Sequence, residues 1–592
     1  MKAKGTYSYG FTNFDFDGFE YTYDAYTYNA EKDTYDVVVG GGNQNPWRER
    51  RKRNIVDRFA QFQLSYNKTF GNHEISAVGA YEQSDNVNTY MIVHTVPPNN
   101  YIPLMSFANQ DYLLDEWSTE ARAGYIGRVN YAFKQKYLVE AVGRYDGSFL
   151  YAPGKRFGFF PGVSAGWRIS EENFFKGKLE NVFSNLKIRA SYGRTGSDRL
   201  ANDNFIVAPF SYLPGYNFLQ GSAIFDGTYN IGVRPRGLPI TTLSWITNVS
   251  TNFGIDFGFM GGKLNGQIDV FQRKREGLPA ARYDVLLPSE VGYTLPNENL
   301  NSDVNKGIEA VLTYKSSLGQ VDYTFSANAT LSRRKDLDFY KPRFGNSYNE
   351  YRNSYVDRWG DINWGYQVEG QFQSQQEIES HTIDNDGQGN RSQLPGDFIY
   401  KDVNGDGIIN ELDERPIGYA EGANPYLSFA FNGSLAYKGF SLFFDFAGAS
   451  MQSFQRNWEL KIPYQNNGTS PHFMLEDRWH REDPFDPNSK WIPGTYPALR
   501  KDNTSHVNFR KSDFWITNVR YIRLRNIELG YNFDQKLAKK IGLSGLRLYV
   551  NATNLFSLDN VKKYEIDPEI SSGNALVYPQ QRLLNVGFNL TF

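Results

Sequence analysis

The chain has 592 residues, with 63 lysines and arginines against 65 aspartates and glutamates, and a formal net charge of −2. This balance gives no overall attraction to nucleic acid, and the absence of cysteine excludes disulfides and cysteine-based metal or redox sites. Aromatic residues make up 16% of the chain, yet the mean hydropathy is −0.56. No apolar run approaches the roughly 18 residues that a spanning helix needs, so the composition favours β-structure.

The N-terminal region offers two features. The opening MKAKGTYSYGFTNFDF has two lysines but no apolar core segment and no small-residue cleavage site, so we do not expect a signal peptide. The basic run WRERRKRN at residues 47–54 is interpreted as a solvated loop, and its alternative is a contact with an anion or with lipopolysaccharide.

Period-two alternation of apolar and polar residues is the main structural signal. It recurs in residues 264–271, 323–332 and 546–553, and it is clearest in the C-terminal LLNVGFNLTF. There, one face of the predicted strand carries the apolar side chains of Leu584, Val586, Phe588, Leu590 and Phe592. In each of these segments one face suits hydrocarbon while the other is mostly polar.

The predicted strands are joined alternately by short and long connections. Tight turns are expected at residues 70–72, 133–136, 260–263, 316–320 and 437–439, and long loops at 195–244, 277–302, 335–424, 453–513 and 557–579. About sixteen strands follow, many of about ten residues or more, the length that a tilted strand needs to cross a bilayer. The sequence therefore predicts an all-β fold, a partial antiparallel transmembrane β-barrel. The alternative is a soluble β-sandwich, whose strands would be shorter.

Sidedness follows from the direction of the last strand. If Phe592 ends a strand that runs toward the periplasm, the tight turns are periplasmic and the long loops extracellular. Residues 335–424 then form a long extracellular loop region.

Within that region, KDVNGDGIINELDERPIG has the spacing of a calcium-binding loop at residues 402–413. Gly407 occupies the position of the sharp turn, and Asp413 stands where glutamate is usual. The alternative is a metal-free turn rich in Asp, Asn and Gly. The predicted structural calcium ligands are Asp402, Asn404, Asp406, the Ile408 carbonyl, Asn410 and Asp413.

Tryptophans in the predicted extracellular segments are candidates for contact with a substrate or a lid protein, because each couples a large apolar face to one polar group. The alternative is packing within the loops. The candidates are Trp359, Trp364, Trp458, Trp479 and Trp491, accompanied by Tyr351 and Tyr355.

Two further motifs are read as structural. Ser164 in GVSAG matches a hydrolase pattern, but it lies in a strand pattern without the strand-to-helix turn that the chemistry requires. His472 and His480, with Asp477 and Asp483, are interpreted as part of a solvated loop rather than a zinc site. We expect no catalytic residue, no enzymatic activity and no organic cofactor.

Several blocks together resemble the SusC/RagA-like branch of TonB-dependent outer-membrane transporters of Bacteroidota. They cover almost the whole chain in the family's order: YNKTFGNHEISAVGAYE at 66–82, GYIGRVNYAFKQKYLVEAVGRYDGS at 124–148, RFGFFPGVSAGWRISEE at 156–172, LKIRASYGRTG at 186–196, NKGIEAVLTY at 305–314, DFIYKDVNGDGIINELDERPIG at 397–418, VRYIRLRNIELGYNF at 519–533, LRLYVNATNLFSLDN at 546–560 and DPE at 567–569.

The resemblance implies a barrel of roughly 22 strands that encloses a plug domain, preceded by a TonB box and a signal peptide. None of these N-terminal parts is recognisable in this sequence, so we expect residues 1–592 to be the C-terminal portion of such a barrel. Phe592 is then the expected signal for sorting and assembly into the outer membrane.

The function implied by the resemblance is import of oligosaccharides or peptides across the outer membrane. The expected partners are a SusD-like surface lipoprotein that closes over the long loops, the TonB complex acting through the plug region, the barrel-assembly machinery and outer-membrane lipids. The alternatives are a surface adhesin or binding barrel that needs no TonB, and a non-functional truncated remnant.

Overall fold

The computed structural model describes residues 1–592 except positions 178, 180–181, 201–203, 341–343, 423, 466–467, 501–503, 571–572 and 575. Positions 341–343 and 423 of the predicted loop region 335–424 thus lie outside the described residues. Strands dominate, as the alternation predicts.

The first strands in chain order are β1 (Lys2–Glu20), β2 (Tyr26–Asn29), β3 (Thr34–Val37), β4 (Trp47–Phe70), β5 (His73–Val96), β6 (Asn109–Phe133), β7 (Tyr137–Ser148), β8 (Phe157–Arg168), β9 (Phe183–Ser197), β10 (Tyr216–Phe225), β11 (Thr228–Pro235), β12 (Ile246–Phe259), β13 (Leu264–Ala280) and β14 (Glu298–Leu318). The others are β15 (Val321–Asp338), β16 (Arg358–Trp359), β17 (Trp364–Gly365), β18 (Val368–Gln371), β19 (Phe398–Tyr400), β20 (Arg415–Pro416), β21 (Leu427–Tyr437), β22 (Phe440–Gln455), β23 (His480–Arg481), β24 (Trp491–Ile492), β25 (Ile516–Asn532), β26 (Gly545–Asp559) and β27 (Leu583–Thr591).

The helices are short: α1 (Ser347–Asn353), α2 (Gln375–Ser380), α3 (His472–Glu476) and α4 (Gln535–Lys540). Single 3-10 turns occur at Met105–Phe107, Ile169–Glu171, Met260–Gly262, Ser289–Val291, Glu411–Asp413, Trp458–Leu460, Val507–Phe509, Asp513–Trp515 and Lys562–Tyr564. In the part of the chain that the structure describes, no helix is both long and apolar enough to cross a membrane.

Among the described residues, seventeen strands belong to one sheet. Apart from the two-residue β16, each of them has at least nine residues, and β6 has 25. The remaining strands form separate two-stranded pairs, such as β10 with β11 and β17 with β20. The prediction of about sixteen long antiparallel strands is confirmed, and strands this long can cross a bilayer when tilted.

The chain divides into two units. The first comprises residues 1–165, 192–248 and 277–299, and the second comprises 166–191, 249–276 and 300–592. In the first unit, β1, β4, β5, β6 and β7 pair antiparallel in succession. In the second unit, the same succession runs through β14, β15, β21, β22, β25, β26 and β27.

Within each unit, the antiparallel order of the strands determines at which end each connection lies. In the first unit, tight turns join β4 to β5 and β6 to β7, and in the second unit they join β14 to β15 and β21 to β22. These are places where the sequence predicts turns. Because successive strands alternate in direction, the tight turns of a unit lie at one end of its strands and the long connections at the other.

Cross-strand register builds an apolar face in the second unit. Phe325 on β15 lies opposite Gly433 on β21, and its ring centroid is 6.1 Å from that of Phe431 and 6.4 Å from that of Phe444. A side chain at Gly433 would collide with the rings of Phe325 and Phe444, so glycine leaves room for them. On the opposite face, the hydroxyl oxygens of Thr313 and Ser326 lie 3.0 Å apart. The apolar and polar faces therefore separate as predicted.

The basic run at residues 47–54 is not a loop, so that prediction is wrong. These residues begin β4 and pair on both sides, with β1 and with β5. Strand partners accommodate the charges: Arg50 Nε lies 3.3 Å from Asp17 Oδ2, and the Arg51 guanidinium lies over the Phe16 ring. A run of like charges indicates that residues are exposed, but it does not distinguish a loop from the exposed end of a long strand.

Candidate functional site

The described residues of two long connections of the second unit, 339–426 and 456–515, fold around a shared hydrophobic core. We call them the loop region. The core consists of Phe398, Tyr400, Ile409, Met474, Tyr496, Val507 and Trp515. The Tyr400 hydroxyl donates to the Val507 carbonyl at 2.6 Å, and the Trp515 indole donates to the Asn508 carbonyl at 2.7 Å. Both of these buried polar groups are therefore paired, and the region has a hydrophobic core of its own.

A fully buried carboxylate, Asp397, ties the two connections together. It accepts the Leu394 amide and the Asn508 side-chain amide, each at 2.7 Å, and forms an ion pair with Arg500. His506 Nε2 lies 3.9 Å from the same carboxylate. Burial lowers the pKa of His506, and the Arg500 charge lowers it further, so this imidazole is neutral near pH 7.

The predicted calcium loop, residues 402–413, is a series of side chain-to-backbone turns. Asp402 accepts the amides of Gly405 and Gly407 at 2.7 and 2.8 Å. Asp406 accepts the Asn404 side-chain amide at 2.8 Å and the Ile408 amide at 2.9 Å. The hydrogen bond from Asn404 and, to a lesser extent, the one from Ile408 lower the pKa of Asp406. Gly407 has φ 80°, as the sharp-turn position predicts.

Asp413 closes this loop from inside the protein. Its carboxylate is fully buried and accepts the Val403 amide through one oxygen and the Asn410 amide through the other, both at 2.9 Å. Asn410 caps the 3-10 turn Glu411–Asp413 in return. Short aspartate therefore suits this position, because it bridges both ends of the loop through the backbone.

The donor set of residues 402–413 is all oxygen, which is the chemistry that calcium prefers. Within the described ranges, no group of three or more His, Cys, Asp or Glu side chains is placed to hold a metal ion. These residues thus offer calcium the kind of ligand atom that it prefers, and each carboxylate already accepts backbone amides. Calcium binding by these residues stays a prediction.

The predicted contact tryptophans divide by exposure. Trp364 and Trp479 are only 8% and 3% exposed, so they pack within the loop region. The Trp479 ring lies against Gly396, where any side chain would collide with it. Trp359 and Trp458 are 38% and 58% exposed. Partly buried Trp491 lies under the Arg481 guanidinium at 4.3 Å. Contact with a substrate or lid stays a prediction, and the open rings of Trp359 and Trp458 suit it best.

A second exposed feature lies in the first unit, where β10 and β11 form a hairpin. The sequence predicts a loop for these residues. Phe218 and Ile224 are 76% and 71% exposed. The turn residues Asp226 and Gly227 have φ 49° and 77°, as in a type I′ turn. This Asp-Gly pair between two alternating segments was the signal that could have revealed the hairpin.

The remaining serine and histidine motifs lie on regular secondary structure. Ser164 is inside β8, so no strand-to-helix turn surrounds it. His472 is on α3 with its imidazole 3.4 Å from Glu476, and His480 is on β23. The Phe592 side chain is exposed beside the end of β27, and its role in sorting and assembly stays a prediction.

No family model matches the chain. TonB-dependent receptor P26 of Formosa agariphila is 27% identical over 567 residues, which cover 89% of this chain and 52% of the relative. TonB-dependent receptor SusC of Bacteroides thetaiotaomicron is 28% identical over 484 residues, covering 79% and 43%. The chain thus spans about half the length of the curated relatives that it matches.

Solved structures give the same result for the fold. The RagAB peptide importer in its open-open state has a TM-score of 0.75 and 18% identity, over 100% of this chain and 59% of that chain. The closed-closed state gives a TM-score of 0.71 and 19% identity, over 100% and 60%. At these identities the likeness establishes the fold alone, which is that of a transmembrane β-barrel.

Proposed function

Because the chain belongs to the SusC/RagA-like family of TonB-dependent outer-membrane transporters and is a multi-pass β-barrel of the outer membrane, we propose that it imports nutrients, either oligosaccharides or peptides. The observation that carries this proposal is the sequence relationship to TonB-dependent receptors, SusC among them, over 79–91% of the chain. In the proposal the chain supplies the barrel wall and the surface loops. It catalyses no reaction.

The charged face of the first unit supports a polar path. Arg144 lies 2.6 Å from Glu82 and 3.0 Å from Asp146, and Arg122 lies 3.0 Å from Asp198. These groups line a cavity of about 230 Å³ within this unit. Because each cation has a carboxylate partner, such a wall is hydrophilic without holding one sign of charge strongly, which suits passage of polar nutrients.

The exposed hairpin of β10 and β11 supports a protein partner. Exposed apolar side chains concentrated on one projecting element mark interaction sites. We assign this hairpin to contact with a SusD-like surface lipoprotein that acts as a lid. The TonB complex, acting on the plug region that the family implies, would supply the energy, and the barrel-assembly machinery would insert the barrel among outer-membrane lipids.

The lid contact has a direct test with a matched control. Replacing Phe218 and Ile224 by serine should lower co-purification of the lipoprotein at least fivefold, since apolar contacts dominate the core of stable interfaces. Leu286, exposed in the connection between β13 and β14, provides the control as Leu286→Ser. Equal recovery of the lipoprotein with the wild type, the double variant and Leu286→Ser would contradict the assignment.

Import is tested by gene deletion and complementation. A strain lacking the transporter should lose growth on the oligosaccharide or peptide that it imports and regain it when the gene is restored. Inactivation of TonB should abolish the same uptake. Adhesion that persists without TonB, with no nutrient on which growth changes, would instead favour the adhesin.

We also propose that residues 402–413 take up extracellular calcium with Asp402, Asn404, Asp406, the Ile408 carbonyl and Asn410 as oxygen ligands, Asp413 closing the loop. Each carboxylate oxygen has a second lone pair, so the amide hydrogen bonds leave acceptor capacity for a cation. Weak sites of this kind fill at the millimolar calcium found outside cells.

A further inference from the structure

The loop region contains a second cavity of about 230 Å³. It lies between α1, the segment from β16 to β17, and residues next to β20. The lining residues that matter here are Arg352, Arg358, Trp359, Trp364, Glu414 and Lys511. Three of them are cations and one is a carboxylate, so the cavity carries net positive charge.

Ion pairing accounts for two of the three cations. Arg352 Nε lies 2.9 Å from Glu414 Oε2, and Lys511 Nζ lies 2.9 Å from Glu421 Oε1. Arg358 donates only to the Tyr351 carbonyl, and among the described residues no carboxylate pairs with it. Asp336 lies opposite Arg358 on β15, but its carboxylate pairs with Arg334. Arg358 is therefore the cation of this wall that has no ion pair among the described residues, and it suits a ligand with a negative charge.

A buried lysine nearby adds to the positive potential. Lys461 is 7% exposed, and burial, together with the charge of Lys511, lowers its pKa to about 8. No carboxylate contributes to that shift among its causes. An anion placed beside Lys511 would relieve the repulsion between the two ammonium groups.

The aromatic residues of the cavity give it shape. Trp364 is held by the Arg352 guanidinium, 4.7 Å from its ring centroid, and by the edge-on ring of Tyr351. Trp359 has the Arg333 guanidinium 4.4 Å from its ring centroid and remains partly exposed. Pockets that enclose whole small molecules are usually about 300–1,000 Å³. A smaller cavity of this kind fits one end group of a longer ligand.

We propose that this cavity binds the carboxylate of a nutrient on its way to import, with Arg358 as the forked partner, Lys511 as the second cation and Trp359 as the stacking surface. The planar guanidinium matches the two oxygens of a carboxylate. This inference rests on the proposed import function, because that function makes the ligand a nutrient. The carboxylate can come from a peptide C-terminus or from a uronic acid.

Binding to the purified full chain in detergent tests the proposal without any uptake measurement. The probes are an N-acetylated tripeptide with a free or an amidated C-terminus, and trigalacturonate with or without methyl esterification. Arg358→Gln should weaken binding of a free-carboxylate probe about tenfold to hundredfold, as expected for loss of a hydrogen bond to a charged group. Arg358→Lys should recover only part of the loss.

The matched control is Arg391→Gln. Arg391 lies in the same loop region and donates to the Gln388 carbonyl, but it does not line the cavity. The proposal stands if the wild type prefers free to capped carboxylates for at least one probe pair and only Arg358→Gln abolishes that preference. It is overturned if no probe binds, if capped probes bind as well as free ones, or if both variants behave alike. Carboxylate binding without any contribution to uptake would refute only the import function.

Discussion

Lys461 offers a quantitative test of the electrostatics in the loop region. It directly follows the 3-10 turn Trp458–Leu460 and is almost completely buried. Burial is the main cause that lowers its pKa from 10.5 to about 8, and the charge of Lys511 is the second cause. The folded state therefore holds an ammonium group at neutral pH in a place that disfavours its charge.

The magnitude follows from the shift. A difference of about 2.5 pKa units corresponds to about 3 kcal/mol. Because the pKa of Lys461 is lower in the folded state, the buried charge costs the folded protein its full stability penalty below a pH of about 8. The penalty fades as pH rises from about 8, and it is gone above the unfolded pKa of 10.5. Lys461→Met should therefore raise the free energy of unfolding by up to about 3 kcal/mol at pH 7, and by about 1 kcal/mol or less at pH 10.

Urea unfolding of the detergent-solubilised chain, followed by tryptophan fluorescence, measures this difference at the two pH values. Lys490→Met is the control, since Lys490 lies in the same loop region with an exposed side chain. It should leave the stability nearly unchanged. A Lys461→Met gain that is equal at pH 7 and pH 10, or a loss at pH 7, would refute the reasoning.

Three further predictions concern the loop region. Asp397→Asn removes the ion pair with Arg500 and should destabilise this region by about 3–5 kcal/mol, seen as faster proteolysis; unchanged digestion would contradict the role of Asp397. Gly407→Ala should cost about 1–2 kcal/mol, because φ is 80° although no heavy atom lies within 4 Å of the added Cβ; an unchanged urea midpoint would show that the turn tolerates alanine. Calcium should slow proteolysis of the wild type but not of the variant with Asp402→Ala and Asp406→Ala. That variant should be digested faster even in chelator, because both carboxylates accept backbone amides. Equal protection of the wild type with and without calcium would remove the calcium site.

Alternation predicted the sheet because lipid and lumen impose opposite demands on neighbouring residues. Residues 323–332 illustrate it, with Phe325 on the apolar face and Ser326 on the polar one. The basic residues 47–54 misled because partners on a neighbouring strand, such as Asp17 and the Phe16 ring, accept these charges as well as solvent does. The hairpin of β10 and β11 falls within residues 195–244, for which the sequence predicts a loop, although the Asp-Gly pair at 226–227 is a hairpin signal.

The site was less predictable because its contacts join distant parts of the sequence. The calcium-type spacing is local, and its turn geometry at Gly407 agrees with the prediction. Asp397 instead depends on Arg500 and Asn508, more than a hundred residues away. No local pattern distinguishes such a buried carboxylate from an exposed one. Exposure of Trp458 and burial of Trp479 likewise depend on how two connections pack together.

Residues 402–413 are built into the loop region at two points. Ile409 is part of the hydrophobic core, and the Ile409 amide donates to the Asp384 carbonyl at 2.9 Å. The second point is Asp413, which is followed directly by Glu414, and Glu414 holds Arg352 in the wall of the cationic cavity. Because one peptide bond joins Asp413 to Glu414, we expect a change that loosens the closure by Asp413 to shift Glu414 and its ion pair with Arg352. In the proposed importer, we therefore expect variants that weaken this loop to weaken carboxylate binding as well.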